Sequence, residues 1–369
     1  MSKKTACGAC GRKHRTFYDR KIRRVRDLSC GDSRIYLDLE IRRVLCKNCK
    51  VVKQEKFPFL GDNPFYTKRF GYYVGRRCST STIQAVAKEL KLDWHAVKEL
   101  EKHYMREKER RAGKPKPRAV GIDEISIRKG HTYRIVVSDL VRKRPIWFGG
   151  LDRTQQSMDL FYKELGPSRC KRIKLAVMDM WPAFEKSTLA HTKAAILYDH
   201  FHVAKHLNEA LDKVRRSEYA KTSGTDRRFI KGQKYTLLSN HENLTLDGKR
   251  SLKLLLSVNK RINTAYVLKE SFDRLWDYKY EASARKFFEN WKASLKWQRL
   301  PSFEKFAAMV DRHWDGIAAS FKDEHKCVSL GFVEGLNNKI RVIQRRAYGL
   351  RDEEYLRLKV LTCMLPDFN

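Results

Sequence analysis

The sequence predicts a mixed α/β core followed by a long helical region, with a small zinc-binding module and a helix-turn-helix ahead of the core. Three observations support this prediction. Two CxxC cysteine pairs stand near the N-terminus, five short apolar runs separated by turn signals lie between residues 118 and 200, and nearly everything after residue 200 has helical periodicity. A chain of 369 residues is long enough for two or three domains.

The balance of charges indicates a nucleic-acid partner. Lys and Arg number 79 against 43 Asp and Glu, which gives a formal net charge of +36. Self-repulsion at such a charge destabilises a folded chain unless a polyanion neutralises it, and the 42% hydrophobic content argues against a disordered basic protein. The charge is spread along the chain, no apolar run approaches the length of a membrane span, and the N-terminus has no apolar signal segment. We therefore expect no membrane association and an intracellular location.

The first module, residues 1–56, is predicted to bind zinc. Cys7 and Cys10 form one CxxC pair, and Cys46 and Cys49 form another. Four thiolates from two such pairs suit tetrahedral Zn²⁺, and the segments KIRRVRDL and RIYLDLEIRRVL between the pairs predict a hairpin. The zinc could simply hold together a domain too small for a sufficient core. That role is compatible with binding of DNA phosphates by the same basic module.

Residues 57–117 are predicted to contain a helix-turn-helix. A capping-box pattern at Ser81 opens a short helix with one apolar face, and Asp93 is placed to cap the next helix after a tight turn. In that second helix Lys98 and Lys102 are expected on an exposed side, where a recognition helix would contact DNA. A helical connector without DNA contacts is the alternative, because helical hairpins are common.

Five apolar runs predict the strands of the core: AVGIDEISI, YRIVVSDL, IWFGGL, IKLAVMD and AAILYD. A turn at Lys129-Gly130 makes the first two runs a hairpin, and a helix is predicted over Gln155–Leu165. Asp123 lies within the first run, and Asp179 ends the fourth. A carboxylate on a core strand costs desolvation free energy unless something compensates, and a divalent cation is the usual compensator in a basic protein.

A third carboxylate, Glu334, stands on a predicted helix near the C-terminus. It shares a polar stripe of that helix with Asn338, Arg341 and Arg345, an arrangement that suits a metal ion beside a phosphate backbone. Together with the two strand carboxylates it can hold two Mg²⁺ ions, which clamp the attacking and leaving oxygens in phosphodiester chemistry. Taken singly, each acid is more often a surface carboxylate in an ion pair.

Four longer segments carry a resemblance to a known family: GIDEISIRKGHTYRIVVSDL, VMDMWPAF, YDHFHVAKHLNEALDKVRR and GFVEGLNNKIRVIQRRAYGLRDEEYLRLK. In these motifs, their order and their spacing, the chain resembles the DDE transposases of the ISL-three insertion-sequence family. The N-terminal cysteine pairs and the helix-turn-helix resemble the DNA-binding region of the same family. The resemblance covers nearly the whole chain, and the EG-NNKI motif with the following RRAYG run is its most specific part.

The resemblance implies an α/β ribonuclease H-like catalytic core with a large helical insertion, preceded by a zinc ribbon and a helix-turn-helix domain. The first part of the core would then occupy residues 118–204 and the all-helical insertion residues 205–325. A C-terminal helical part of the core, residues 326–369, would carry Glu334.

The catalytic residues also follow from the resemblance. Asp123, Asp179 and Glu334 would form a metal triad for Mg²⁺ or Mn²⁺. The segment from Asp199 to His202 fits a DxxH signature of related transposases, so His202 would orient a scissile phosphate or a flipped base. A histidine that only packs in the core is the alternative for His202.

The function implied is that of a bacterial DNA transposase acting in the cytoplasm at the nucleoid. It would bind the double-stranded terminal inverted repeats of an insertion sequence, hydrolyse the phosphodiester with two metal ions and transfer the strand to target DNA. Joining two ends implies a homodimer or a higher assembly in the synaptic complex. Two alternatives stay open: a DNA-binding regulator without catalysis, which needs no acidic triad, and a metal-dependent nuclease that cuts without strand transfer.

Overall fold

The computed structural model describes residues 4–128, 132–322, 331–347 and 350–368. The chain divides into two compact units, one of Met1–Pro115 with Asn338–Asn369 and the other of Lys116–Asn337.

Ten strands lie in the described residues: β1 (Thr5–Ala6), β2 (Lys13–His14), β3 (Asp19–Arg26), β4 (Tyr36–Leu45), β5 (Val52–Gln54), β6 (Ala119–Arg128), β7 (Thr132–Asp139), β8 (Arg144–Gly149), β9 (Leu175–Met178) and β10 (Ala195–Tyr198).

The α-helices of the described residues are, in chain order, α1 (Lys68–Thr80), α2 (Ile83–Leu90), α3 (Trp94–Ala112), α4 (Gln155–Leu165), α5 (Pro167–Cys170), α6 (Pro182–His191), α7 (His200–Lys221), α8 (Gly224–Gly232), α9 (Lys234–Leu238), α10 (Leu246–Val258), α11 (Lys260–Asp273), α12 (Glu281–Ser294), α13 (Pro301–Arg312), α14 (Trp314–Ala318), α15 (Gly331–Arg346) and α16 (Glu353–Thr362). Within the described part of the chain, none of these helices combines the length and the apolar character needed to cross a membrane.

Two small antiparallel sheets open the N-terminal unit. β1 pairs with β2, and β3, β4 and β5 form a three-stranded sheet with β4 in the centre. The hairpin predicted between the two cysteine pairs is confirmed as β3 and β4. The third strand, β5, follows the second cysteine pair and is not among the predicted elements.

The predicted helix-turn-helix is confirmed in α1, α2 and α3, which pack around a small core of buried apolar side chains. Asp93 caps α3 as predicted, because its carboxylate accepts hydrogen bonds from two backbone amides of the first turn. The capping box predicted at Ser81 is wrong. Thr82 is the residue that caps α2, through its hydroxyl and the Ala85 amide, while Ser81 ends α1.

Packing of α16 against α3 explains why the end of the chain belongs to the N-terminal unit. On α3, the carboxylate of Glu101 is buried, accepts a hydrogen bond from the Tyr355 hydroxyl and lies 2.6 Å from the Lys359 ammonium. Breaking a buried pair of this kind strongly destabilises a fold. Residues Asn338–Asn369 are thus part of the same compact unit as the zinc-binding module and the helices that follow it. The predicted boundary at residue 326 lies outside the described residues and stays a prediction.

The second unit is built on a five-stranded mixed sheet in the order β10-β9-β6-β7-β8. β6 pairs parallel with β9, β9 pairs parallel with β10, and β7 pairs antiparallel with both β6 and β8. All five predicted strands are confirmed, and α4 spans the predicted helix Gln155–Leu165. The turn predicted at Lys129-Gly130 lies outside the described residues.

The region predicted as an all-helical insertion consists of helices and short connecting segments in its described part, residues 205–322. α7 packs against α11 and α13 around buried aromatic side chains. Phe272 lies among these aromatic side chains. The centroid of its ring is 5.0 Å from that of Trp291 and 4.9 Å from that of Phe306. Trp297, by contrast, is 80% exposed.

Close packing of β6 against the first turns of α15 depends on a residue without a side chain. A Cβ at Gly121 would lie 2.8 Å from Val333 Cγ2 and 2.9 Å from Leu140 Cδ2, both closer than side chains normally approach. Gly121 therefore lets the helix that carries Glu334 lie directly on the central strand of the sheet.

Adding a methyl group at Gly121 is expected to destabilise the fold. Gly121→Ala should lower the free energy of unfolding by about 1–3 kcal/mol, because Val333 and Leu140 must move to accept it. Gly335→Ala is the matched control on α15, since a Cβ there meets no atom within 4 Å, and it should stabilise the helix by up to about 1 kcal/mol. Urea unfolding of both variants measures the difference. Equal stability of the two would contradict the packing argument.

Candidate active site and zinc centre

Four cysteines of the N-terminal unit form the one cluster of three or more possible metal ligands found among the described residues. Their sulfur atoms all lie within 4.8 Å of one another. The Sγ atoms of Cys7 and Cys49 are 4.0 Å apart, and those of Cys10 and Cys46 are 3.5 Å apart. The two CxxC pairs predicted to share a metal are therefore brought together.

Backbone amides favour the thiolate form of Cys7 and Cys10, whereas the neighbouring Cys10 sulfur raises the pKa of Cys49 to about 12. Backbone amides donate to the sulfur atoms of Cys7 and Cys46. The backbone amide of Arg12 lowers the pKa of Cys10 to about 6. Four closely spaced thiolates are the donor set of a structural zinc site, so these residues fit the predicted Zn²⁺.

In the second unit, Asp123 and Asp179 lie side by side at one end of the sheet. The parallel pairing of β6 with β9 sets Ile122 opposite Met178, and each acid is the next residue along its chain. β6 continues past the end of β9, so Asp123 stays within the strand. The strand register therefore assembles the first two predicted metal ligands.

Burial dominates the electrostatics of Asp123. Loss of hydration raises the pKa of its carboxyl; His202 and the Asn337 amide oppose the rise, while the carboxylates of Asp179 and Asp199 add to it. A divalent cation placed among these carboxylates would offset the cost of keeping them ionised.

His202 lies beside the second carboxylate. Asp199 caps α7 by accepting a hydrogen bond from the Phe201 amide. One turn into the helix, His202 Nδ1 lies 3.8 Å from Asp179 Oδ2. The DxxH segment thus places one acid at the helix end and directs its histidine to the candidate site. The catalytic role of His202 stays a prediction.

Glu334 lies in the first turn of α15 with an exposed side chain. Among the described residues at this end of the sheet, no three carboxylate or histidine ligand atoms all lie within 4.8 Å of one another. The structure therefore brings Asp123, Asp179 and His202 together and leaves Glu334 on the neighbouring helix, three residues before the side chain that contacts Asp123.

That contacting side chain is Asn337, which the sequence reasoning missed. Its Nδ2 donates to Asp123 Oδ2 at 2.6 Å, and the residue is only 8% exposed. Its Oδ1 is buried and finds no hydrogen-bond partner among the described residues. The predicted polar stripe used Asn338 instead, whose exposed Oδ1 accepts from Arg341. The sequence could have indicated Asn337, because it follows Glu334 by three residues and Val333 by four and therefore lies on the same face of the helix.

The oxygen donors at this site suit a hard divalent cation. Two neighbouring carboxylates and a buried amide oxygen, which no described residue hydrogen-bonds, are ligand types that Mg²⁺ accepts, because water and phosphate complete its octahedron. The residues present therefore fit the predicted Mg²⁺ or Mn²⁺.

The predicted exposure of Lys98 and Lys102 is wrong. Lys98 Nζ lies 2.8 Å from Asp352, and Lys102 Nζ lies 2.7 Å from Glu354, so the lysine side chains are 19% and 10% exposed. The acidic start of α16 covers this face of α3, which no local pattern in α3 could show. Arg341 and Arg345 are exposed on α15, as a role in DNA binding requires.

Comparison with known proteins identifies the family. Residues 120–360 match the ISL3 family model described as a transposase, residues 3–49 match the zinc-finger of transposase IS204/IS1001/IS1096/IS1165, and residues 55–105 match the helix-turn-helix domain of transposase family ISL3. The chain belongs to the ISL3 family of transposases. The family resemblance seen in the sequence is thereby confirmed, as is the order of zinc ribbon, helix-turn-helix and transposase domain.

Two curated transposases are similar to the chain over most of its length. The transposase for insertion sequence element IS1001 from Bordetella parapertussis is 34% identical over 96% of this chain and 87% of its own length. The transposase for insertion sequence element IS1557 from Mycobacterium tuberculosis is 29% identical over 95% of this chain and 83% of its own length.

Loss of one cysteine ligand is expected to release the metal of the zinc ribbon. Purified Cys46→Ser protein should contain far less zinc than the wild type, which should carry about one equivalent per chain, because three thiolates bind Zn²⁺ more weakly than four. Cys30→Ser is the matched control, since Cys30 is exposed and outside the cluster. Elemental analysis gives the zinc content. Full zinc retention by Cys46→Ser would contradict the assignment.

Proposed function

We propose that this ISL3 transposase cleaves and joins DNA with divalent metal ions held by Asp123, Asp179 and Glu334. The observation that carries the proposal is the convergence of Asp123, Asp179 and His202 at one end of the sheet. The hydrogen bond from Asn337 adds the helix of Glu334 to the same place. Family membership supports the reaction class.

The fold of the catalytic core is proposed to be ribonuclease H-like. Three antiparallel strands, β6 to β8, are followed by two parallel strands, β9 and β10, that add on the other side of β6. The first carboxylate on the central strand, the second at the end of the adjacent strand and the third on a later helix agree with this assignment.

In the proposed mechanism, divalent ions would polarise the phosphate oxygens and help ionise the attacking water. Asp123, Asp179 and Glu334 would hold those ions. Asn337 fixes the rotamer of Asp123 through its hydrogen bond. His202, which lies beside Asp179, would donate a hydrogen bond to the scissile phosphate. Water would attack the phosphorus and break its bond to the 3′-oxygen, which frees a 3′-OH at the element end and leaves a 5′-phosphate on the flank. This hydroxyl would then attack a target phosphodiester and displace the 3′-oxygen of the target strand, which leaves as a 3′-OH.

Recognition of DNA is proposed to rest on the N-terminal modules. The zinc ribbon and the helix-turn-helix would bind the terminal inverted repeats, with Lys and Arg supplying salt-dependent affinity for the backbone. Arg341 and Arg345 are proposed to contact phosphates. Lys98 and Lys102 would do so only by exchanging their present carboxylate partners for phosphate. Two ends are brought together in a homodimer or a larger synaptic assembly.

Replacing the second carboxylate tests the catalytic proposal. Asp179→Asn should reduce Mg²⁺-dependent cleavage at the boundary of an element end by more than about 100-fold. Loss of the hydrogen-bond partner of a metal ligand lowers activity about 10- to 100-fold, and loss of the ligand itself should lower it further. Binding of the labelled duplex should persist. Asp247→Asn is the control, since that carboxylate is 92% exposed on α10.

The wild-type reaction separates the alternatives. Tight binding without cleavage in Mg²⁺ or Mn²⁺ would favour a DNA-binding regulator. Cleavage without joining of the 3′ end to a target duplex would favour a simple nuclease.

The neighbouring asparagines of α15 provide a second test. Asn337→Ala should slow cleavage roughly 10- to 100-fold and weaken Mn²⁺ binding, because Asp123 loses the group that orients it. Asn338→Ala should stay within about twofold of the wild type, since that side chain is exposed. Mn²⁺ titration followed by electron paramagnetic resonance measures the affinity independently of activity. Equal behaviour of the two variants would show that Asn337 has no special role.

A further inference from the structure

An exposed aromatic ring lies next to the candidate catalytic carboxylates. Trp181 follows Asp179 by two residues, so their Cα atoms are at most about 7 Å apart. The intervening Met180 is buried, whereas Trp181 is 40% exposed at the start of α6. The indole is therefore held at the surface of the chain segment that also supplies a proposed metal ligand.

Several contacts fix this ring in place. Its Nε1 donates to the Arg153 carbonyl oxygen at 2.8 Å, and the Arg153 guanidinium carbon lies 5.1 Å from the centre of the indole. The same guanidinium lies 4.7 Å from the centre of the Tyr133 ring and forms an ion pair with Glu124. We call this group the Trp181 platform: Trp181, Arg153, Tyr133 and Glu124.

The platform spans both strands of the candidate site. Glu124 is the residue after Asp123 on β6, and Trp181 lies just beyond the end of β9. Because consecutive strand residues point to opposite faces, Glu124 lies on the face opposite Asp123, and the platform borders the same sheet end from that face. When DNA binds with its scissile phosphate at the carboxylates, the neighbouring nucleotides would lie close to the platform.

The chemistry of the platform suits a planar uncharged ring better than a phosphate. The only cation among its members, Arg153, already has a carboxylate partner in Glu124. The indole offers part of a rigid aromatic surface at little entropic cost, because its hydrogen bond and the guanidinium hold it in place. Nucleobases stack on such surfaces with little dependence on sequence.

We propose that Trp181 is a stacking site for an unpaired nucleobase next to the scissile phosphate. The inference deepens the proposed function and rests on it for the location of that phosphate. A base in an intact duplex has no free face, so the base must leave the helix, and stacking on Trp181 offsets part of the cost of unpairing. The platform thereby positions the strand at the carboxylates and belongs to the DNA-binding surface rather than to the reacting groups.

A double-mutant cycle tests this inference without catalysis. It combines substitution of Trp181 with removal of one DNA base and measures the affinity for DNA. Duplexes would carry the terminal repeat and its flank, with each nucleotide near the cleavage point replaced in turn by an abasic residue. The full chain would be titrated without added Mg²⁺ or Mn²⁺ and without a chelator, so that no cleavage occurs and the zinc ribbon keeps its metal. Trp181→Ala should weaken binding of the intact duplex roughly 5- to 100-fold. On the duplex that lacks the base that stacks on Trp181, the same substitution should weaken binding almost no further.

Two other variants control the experiment. Trp181→Phe keeps an aromatic face and should retain most of the affinity and most of the coupling. Trp297→Ala removes an indole that is 80% exposed in the helical region and should change neither. Equal weakening by Trp181→Ala on intact and on all abasic duplexes would show a structural role and overturn the inference. Unchanged binding would overturn it as well.

The outcome is separable from that of the proposed function. Wild-type cleavage in Mg²⁺ without coupling between Trp181 and any base would leave the catalytic proposal standing and reject the stacking site. Coupling without cleavage would support the stacking site and reject the catalytic proposal.

Discussion

A hydrogen bond of 2.6 Å from the Asn337 amide to the Asp123 carboxylate ties α15 to the central strand of the sheet. The contact is possible because Gly121 has no side chain between β6 and Val333. The position of Glu334 relative to the two strand carboxylates follows from this packing, since Glu334 precedes Asn337 by less than one turn of the same helix. The proposed metal site thus depends on two contacts of this helix with the sheet. One is the hydrogen bond from Asn337, and the other is the close packing of Val333 on Gly121.

Acidic side chains have two different environments in this basic chain. In the N-terminal unit Asp27 is paired with a cation, because Arg69 forms an ion pair with its carboxylate and lowers the pKa of that carboxyl to about 2. In the second unit Asp123 faces His202, Asn337 and other carboxylates, and burial raises its pKa. The ion pair with Arg69 and the hydrogen bond from the Thr67 hydroxyl explain the first environment. The second concentrates negative charge around a buried carboxylate, which is the condition that a divalent cation relieves.

Patterns of local origin were predictable from the sequence, and contacts distant in the chain were not. The five core strands, the helix Gln155–Leu165 and the metal-binding cysteines follow from periodicity, turn residues and CxxC spacing, which are local signals. The covering of Lys98 by Asp352 joins residues 254 positions apart, and the contact of Asn337 with Asp123 joins residues 214 positions apart. Adjacent Asn337 and Asn338 differ only in which side of the helix meets the sheet, and that depends on how α15 packs.

The central claim is that α15 completes a divalent-metal site on the sheet, and the most direct test is to locate the metal. Crystals of the full chain grown or soaked with Mn²⁺ would give its position by anomalous scattering. The account predicts Mn²⁺ bound between Asp123 and Asp179, with the Glu334 carboxylate turned toward it or toward a second ion. An empty site at saturating Mn²⁺, or Mn²⁺ bound only away from these carboxylates, would contradict it.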